Sequence, residues 1–306
     1  MRYSGKVLRI CRAAGPAEAV QPRYFPIFAT VVLAAALVGQ SFAQSLSIPG
    51  AVQEVVLIPL PNLGISMRTL IARPIGTGPF PLALINHAST ESAERRAGLP
   101  QPRYDALAQW FVQRGYLVAT PERPGHGRTG GPYLEDQGGC DDADYTRAGL
   151  GAAASIETAL AQILKRPDVR KTGVIVVGHS AGGWGVLALA SQNPRGISAV
   201  VNFGGGRGGR SFDHANNNCA PDRLIAAARQ FGSSARVPTL WIYAENDSYF
   251  APSLVHRLVE AWRAGGGQVE LALLPAFDLE GHRLAQANEG TSVWGPVVSQ
   301  FLAKLK

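Results

Sequence analysis

The segment Val174-Ile175-Val176-Val177-Gly178-His179-Ser180-Ala181-Gly182-Gly183 constrains the fold of this chain more than any other stretch. A β-branched run enters a G-x-S-x-G pentapeptide and leaves into an Ala/Leu-rich run that suits a helix. Strand, tight turn and helix in that order are the setting of a nucleophile elbow. Gly178 and Gly182 remove the Cβ atoms that would block a sharp turn, so Ser180 can present its hydroxyl at the top of a sheet. The next backbone amide, that of Ala181, opens a helix and points at a developing oxyanion. In a chain with 35 glycines the pentapeptide alone arises by chance, and the flanking strand and helix argue against that. Ser180 is therefore the candidate nucleophile.

The rest of the chain alternates in the same way. Two strand-like runs, residues 52–60 and 65–73, flank Pro61-Asn62-Leu63-Gly64 and read as a hairpin. Further strands are expected at 81–86, 116–120, 172–177, 197–203, 239–243 and 269–274. Helices are expected at 104–113, 145–164, 181–192, 222–230, 252–264 and 293–305. Buried apolar strands alternating with helices predict an α/β fold, a mostly parallel doubly wound sheet with helices on both faces and an antiparallel edge from the hairpin. Residues 44–306 read as a single domain. The segment between residues 203 and 237 holds a Gly-rich loop and one short helix, which leaves little room for a lid.

Residues 1–43 read as a secretory signal peptide, with Arg2, Lys6, Arg9, Arg12 and Arg23, an apolar run from Ile27 to Gly39, and Ser41-Phe42-Ala43 before a cut. The apolar run is short for a membrane span, so removal is expected rather than stable membrane insertion. Without it the chain carries 24 Lys+Arg against 21 Asp+Glu, a net +3 where the full chain has +7. That balance, with no basic stripe interleaved with aromatics, gives no reason to expect a nucleic-acid partner. Cys11 leaves with the signal, and the remaining pair in an exported chain, Cys140 and Cys219, is expected to form a disulfide. A periplasmic or secreted location follows.

A serine hydroxyl needs a base to take its proton and a carboxylate to orient that base. In a doubly wound sheet these follow the serine, acid first and then histidine, at the C-terminal ends of later strands. After the strand at 239–243 come Glu245, Asn246, Asp247 and Ser248, and after 269–274 comes Gly281-His282. His282 is the expected base, since His256 falls inside a helix and His87 and His179 belong to the oxyanion loop and the elbow. Asp247, further past the strand end, is the expected acid, with Glu245 two residues earlier in a structural role. Asn86-His87-Ala88-Ser89-Thr90 supplies the second oxyanion donor, the Ser89 amide, to pair with that of Ala181.

With these parts in place the chain resembles the α/β-hydrolase superfamily, most closely its dienelactone-hydrolase-related serine esterase branch. The resemblance rests on Gly178 to Gly183, Trp241-Ile242-Tyr243-Ala244-Glu245-Asn246-Asp247, Gly281-His282 and the turn Pro124-Gly125-His126-Gly127-Arg128. It departs in carrying His87-Ala88 where many members have His-Gly. It also has Ser180 where dienelactone hydrolases use cysteine, so that named activity is not implied. The expectation is an exported serine hydrolase cleaving a carboxylic ester, small or polymeric, without metal or organic cofactor. A secreted serine peptidase or amidase of the same fold, and a non-catalytic binding protein on this scaffold, are the alternatives.

Three further signals read less sharply. Gly204-Gly205-Gly206-Arg207-Gly208-Gly209-Arg210 could hold a substrate carboxylate through Arg207 or Arg210, against a favoured reading as a flexible turn with solvated arginines. Trp184 could line the substrate pocket or pack between helix and sheet. Asp141, Asp142 and Asp144 read as a solvated loop.

Overall fold

The structure, a computed structural model, describes residues 48–305. The signal peptide expected over residues 1–43, with Cys11, lies outside the described residues. Among the described residues eight strands run β1 Ala51–Leu60, β2 Ile65–Pro74, β3 Leu82–Asn86, β4 Leu117–Pro121, β5 Val174–His179, β6 Ile197–Phe203, β7 Thr239–Ala244 and β8 Val269–Leu274. They form one sheet in the order β1-β2-β4-β3-β5-β6-β7-β8. Pairing is antiparallel for β1 with β2 and β2 with β4, and parallel from β4 to β8. The chain leaves β3 to one side for β4 and returns on the other side for β5. That reversal opens a crevice at the carboxyl ends of β3 and β5, the place where such sheets bind ligands.

Among the described residues six helices cover the sheet, α2 Asp105–Val112, α3 Tyr145–Ile163, α4 Ala181–Gln192, α5 Pro221–Ser234, α6 Pro252–Gly265 and α7 Gly290–Ala303, and a short helix α1 Ala93–Ala97 lies between β3 and α2. The two-residue period of the strands divides the core. Leu82, Leu84, Val176, Val200 and Trp241 face one layer with α3 to α6, while Ile85, Val177, Val201, Leu240 and Ile242 face the other with α2 and α7. The central strands β3, β4, β5 and β7 are buried along their whole length, as parallel strands covered on both faces must be. Among the described residues no helix is long and apolar enough to cross a membrane.

Two differences from the expectation are local. α1 has only five residues, too few for a periodic signal, and is started by the Ser92 side chain accepting from the Arg95 amide at 3.2 Å. α5 extends to Ser234 because its last turn packs against α6, with Gly232 against the Trp262 backbone.

Loops 122–144 and 204–220 stand at the crevice, and the Cys140–Cys219 disulfide joins them across 79 residues of sequence. The Tyr145 hydroxyl donates to the Cys219 carbonyl from the first turn of α3. Closing a loop of that length removes denatured-state entropy equivalent to about 4 kcal/mol in the chain-entropy argument. The double change Cys140→Ser, Cys219→Ser is therefore expected to lower unfolding stability by about 2–5 kcal/mol. Urea titration of oxidised wild type against the variant measures this, and equal midpoints would refute it.

Candidate active site

Ser180 joins β5 to α4 with φ 55° and ψ −122°, a conformation that side-chain-bearing residues avoid. Such a backbone costs of order 1–3 kcal/mol and persists only where its surroundings impose it. Here the Ser180 N–H donates to Phe203 O at 3.0 Å, and its carbonyl accepts from Gly206 N–H at 3.2 Å and Trp184 N–H at 2.9 Å. The flanking glycines are required by close approach. A Cβ at Gly178 would lie 2.6 Å from the Gly182 carbonyl carbon, and one at Gly182 would lie 2.6 Å from that of Asn86. The helix that starts at Ala181 leaves its first amide without a partner among the described residues, at the positive end of the macrodipole.

Asp247 and His282 meet across the ends of β7 and β8. Asp247 is buried, and its Oδ1 accepts from the Tyr249 and Phe250 amides at 2.8 and 3.1 Å. Its Oδ2 accepts from His282 Nδ1 at 2.9 Å. Since a carboxylate only accepts, the proton sits on Nδ1 and the Nε2 lone pair is left open. Nε2 is buried with no partner among the described residues, and His282 lines the same cavity as Ser180. Tyr249 stacks on the imidazole at 4.2 Å between ring centroids. Glu280 ties the two loops together, accepting from His282 N–H at 2.9 Å, Ser248 N–H at 3.1 Å and the Ser248 hydroxyl at 2.5 Å. Burial alone would raise the Glu280 carboxyl, but these donors hold it below the ordinary carboxylate range.

The loop after β3 is held by side chains from three separate segments, Tyr104, His126 and Arg96. Ala88 N–H donates to the Tyr104 hydroxyl at 3.0 Å, and that hydroxyl lies 2.9 Å from His179 Nδ1. His179 Nε2 lies 2.8 Å from the His282 carbonyl, which can only accept. The proton is therefore on Nε2, and Tyr104 donates to Nδ1. A single hydrogen-bonded chain thus runs from the oxyanion loop through the elbow to the base loop. Ser89 Oγ donates to His126 Nε2 at 2.7 Å, because His126 Nδ1 is committed to the carbonyls of Arg123 and Pro124. Burial lowers the pKa of His126 to about 4 and of His179 to about 3, and holds His87 well below the ordinary histidine value. Ser89, Ser180 and Ala181 line one cavity, and the Ser89 amide has no partner among the described residues.

Three sequence readings change. The loop 204–207 is not a flexible turn, and Arg207 is not solvated. Arg207 is 3% exposed and donates to the Gln137 side chain at 2.9 Å, the Tyr133 hydroxyl at 2.7 Å and the Glu135 carbonyl at 2.7 Å. Ion pairs to Glu135 at 3.4 Å and Glu91 at 3.2 Å complete its shell, so its donors are used by the protein and a role as a substrate clamp is not supported. Arg123 shares Glu135, giving a buried cluster of two guanidiniums on one carboxylate. Trp184 lines none of the cavities beside Ser180. It is 1% exposed, packs on Phe231 and donates from Nε1 to Tyr145 O at 2.8 Å. Asp144 is more than a solvated loop residue, since its side chain caps α3 by accepting from Arg147 N–H at 2.8 Å. Glu245 is exposed, with its amide paired to Leu274 O at 2.9 Å, and the carboxylate on His282 Nδ1 is that of Asp247.

Tyr104, Tyr249 and Glu280 were not legible as site residues. Glu280 and Tyr249 sit two positions from His282 and Asp247, which is a usable signal. Tyr104 lies 75 residues from the histidine it contacts and offers none.

A mostly parallel sheet with a serine elbow after β5, an acid after β7 and a histidine after β8 has the architecture of the α/β-hydrolase fold. The family model described as Hydrolase_4, serine aminopeptidase S33, matches residues 101–210, a span that contains Ser180 but neither Asp247 nor His282. A structure from Klebsiella pneumoniae subsp. pneumoniae described as a dienelactone hydrolase aligns with TM-score 0.56 at 17% identity, covering 82% of this chain and 98% of that one. An esterase from Pyrococcus furiosus aligns with TM-score 0.58 at 14% identity, covering 83% and 93%. The acylaminoacyl peptidase of Pyrococcus horikoshii aligns with TM-score 0.59 at 13% identity, covering 83% of this chain, which spans only 41% of the peptidase. No curated protein sequence matches the chain. The fold is thus one shared by esterases and peptidases.

Proposed function

We propose that this protein is an exported serine hydrolase that cleaves a carboxylic ester through an acyl-enzyme. The observation that carries the reading is the His282–Asp247 pair, protonated at Nδ1 and open at Nε2, in the cavity lined by Ser180. Ser180 Oγ attacks the acyl carbon while Nε2 takes its proton, and Asp247 stabilises the imidazolium that forms. The oxyanion is received by the amides of Ala181 and Ser89, each typically contributing about 3 kcal/mol to the transition state. Nε2 then returns the proton to the leaving alcohol, and water repeats the sequence to release the acid. Export rests on residues 1–43 and agrees with the disulfide.

A serine aminopeptidase is the second reading, favoured by the description of the matching family model. It would need a carboxylate to receive a free α-amino group. The carboxylates around the Ser180 cavities are engaged already: Glu91 with Arg207, Asp213 with Arg210, and Glu280 with Ser248. That supports the ester. A fluorophosphonate probe followed by intact mass tests the mechanism. One adduct on Ser180, lost in His282→Ala, is expected; folded wild type that takes no adduct would favour the binding-protein alternative.

The Tyr104 chain gives a graded prediction. Tyr104→Phe removes two hydrogen bonds, leaving Ala88 N–H and His179 Nδ1 unpaired, and should lower kcat about tenfold with KM nearly unchanged. Active-site titration separates this from a smaller folded fraction. A fall in titratable sites at constant turnover per site would refute a positioning role.

A further inference from the structure

The acid loop and the base loop bring two rings face to face. Tyr249 follows Asp247 by two residues, and its amide donates to Asp247 Oδ1 at 2.8 Å. That bond fixes the backbone from which the phenol ring extends. The ring lies on the His282 imidazole with centroids 4.2 Å apart and planes 23° from parallel. The other rings near His282 are further off and more tilted, Phe250 at 5.8 Å and 51° and His179 at 4.9 Å and 43°. Tyr249 also lines both cavities that Ser180 lines. Its hydroxyl makes no hydrogen bond among the described residues, so the ring face is the part of this side chain that meets the base.

The imidazole changes charge during the reaction. It is neutral while Nε2 awaits the serine proton and cationic once that proton has moved. An aromatic face carries negative potential, so it attracts the imidazolium more strongly than the neutral ring. An interaction that strengthens only on proton transfer lowers the barrier instead of tightening the ground state. His282 is 8% exposed, so water screens this attraction little. The other charged groups around the base leave that face to Tyr249. Asp247 meets the ring edge at Nδ1, and burial keeps His179 uncharged. The Glu280 carboxylate is taken up by the amides of His282 and Ser248 and by the Ser248 hydroxyl. Arg210 stands 5.6 Å from the Tyr249 centroid, and its own charge is paired with Asp213 at 3.0 Å.

We propose that the ring face of Tyr249 stabilises the His282 imidazolium as it forms, and so takes part in catalysis through the base. The assignment rests on the serine hydrolase reading above. Tyr249 makes and breaks no bond. The proton passes from Ser180 Oγ to Nε2 and on to the leaving oxygen, and the ring lowers the energy of the cation between these steps.

The test uses full-length processed protein and the best cleaved of ethyl acetate, ethyl butanoate and ethyl octanoate, whose poor leaving group makes both proton transfers count. Ring potential is varied at nearly constant shape by placing phenylalanine and its mono-, di- and trifluorinated analogues at position 249, since each fluorine drains charge from the face. Tyr249→Phe keeps the face and should lose about twofold in kcat/KM. Each fluorine should lower it further, to about tenfold below wild type for the trifluorinated ring, the level also expected of Tyr249→Leu. The loss should fall on kcat more than on KM, and melting temperatures should agree across the fluorinated series. The rate of fluorophosphonate labelling at Ser180, which draws on the same base, should follow the same order. A flat fluorinated series, however low the leucine variant falls, would give the ring a packing role and overturn the proposal. So would a loss in Tyr249→Phe as large as in Tyr249→Leu, which would move the effect to the hydroxyl. A slope that vanishes in Arg210→Ala would move it to the guanidinium, with the same consequence. Wild type that cleaves no ester and takes no adduct at Ser180 would instead sink the hydrolase reading, and this assignment with it.

Discussion

Ser180→Ala should reduce ester turnover by about 10⁴-fold or more, to the residue left by oxyanion donors and binding alone. No hydrogen bond of the Ser180 hydroxyl supports the fold among the described residues, so thermal stability should not fall. The backbone adds a second, opposite expectation. Ser180 occupies φ 55°, ψ −122°, and glycine adopts such a conformation without a steric penalty. Ser180→Gly should therefore be as inactive as the alanine variant yet more stable than wild type by about 1 kcal/mol. Paired melting curves and initial rates decide the matter. Equal loss of stability in both variants would mean that the elbow is not strained and that the hydroxyl is structural.

The second large effect concerns acid. His87, His126 and His179 are buried and held uncharged in the native protein. Below pH 6.5 the unfolded chain binds protons at these positions, whereas the native state does so only near pH 4 for His126 and pH 3 for His179. Stability is therefore fully present above pH 6.5 and falls as pH drops through this window. The slope is about 1.4 kcal/mol per pH unit for each histidine. Between pH 6.5 and 5 His126 and His179 together remove about 3 kcal/mol, and His87 adds to the loss in the same direction, a large share of the stability of many domains. Urea midpoints at pH 7, 6 and 5 should decline steeply, and His126→Gln should flatten the decline by about a third. A pH-independent midpoint across that range would refute the proton count.

The order of strands and helices was readable because each central strand is a short β-branched run buried on both faces, and each helix is long enough to repeat its period. Ser180, Asp247 and His282 were readable for a related reason, since each follows the C-terminal end of a recognisable strand. Arg207 was not, because what buries it is Tyr133, Glu135 and Gln137, more than 65 residues earlier on a loop with no periodicity. A glycine-rich arginine loop looks solvated until the loop that covers it is placed. Trp184 was ambiguous for the same cause. Helix α4 is apolar all round, so its sequence does not say which side meets the cavity. The support of the oxyanion loop was hidden too, since Tyr104, His126 and Arg96 reach it from separate segments, Arg96 through the carbonyls of Thr90 and Glu91.

The bond between Cys140 and Cys219 has a further effect on how molecules come and go. Loops 122–144 and 204–220 are fastened to each other by it and by the Arg207 cluster, so they act as one brace along that side of the cleft. They can flex together but cannot part. Any widening past Ser180 on that side then moves both loops together, as one body.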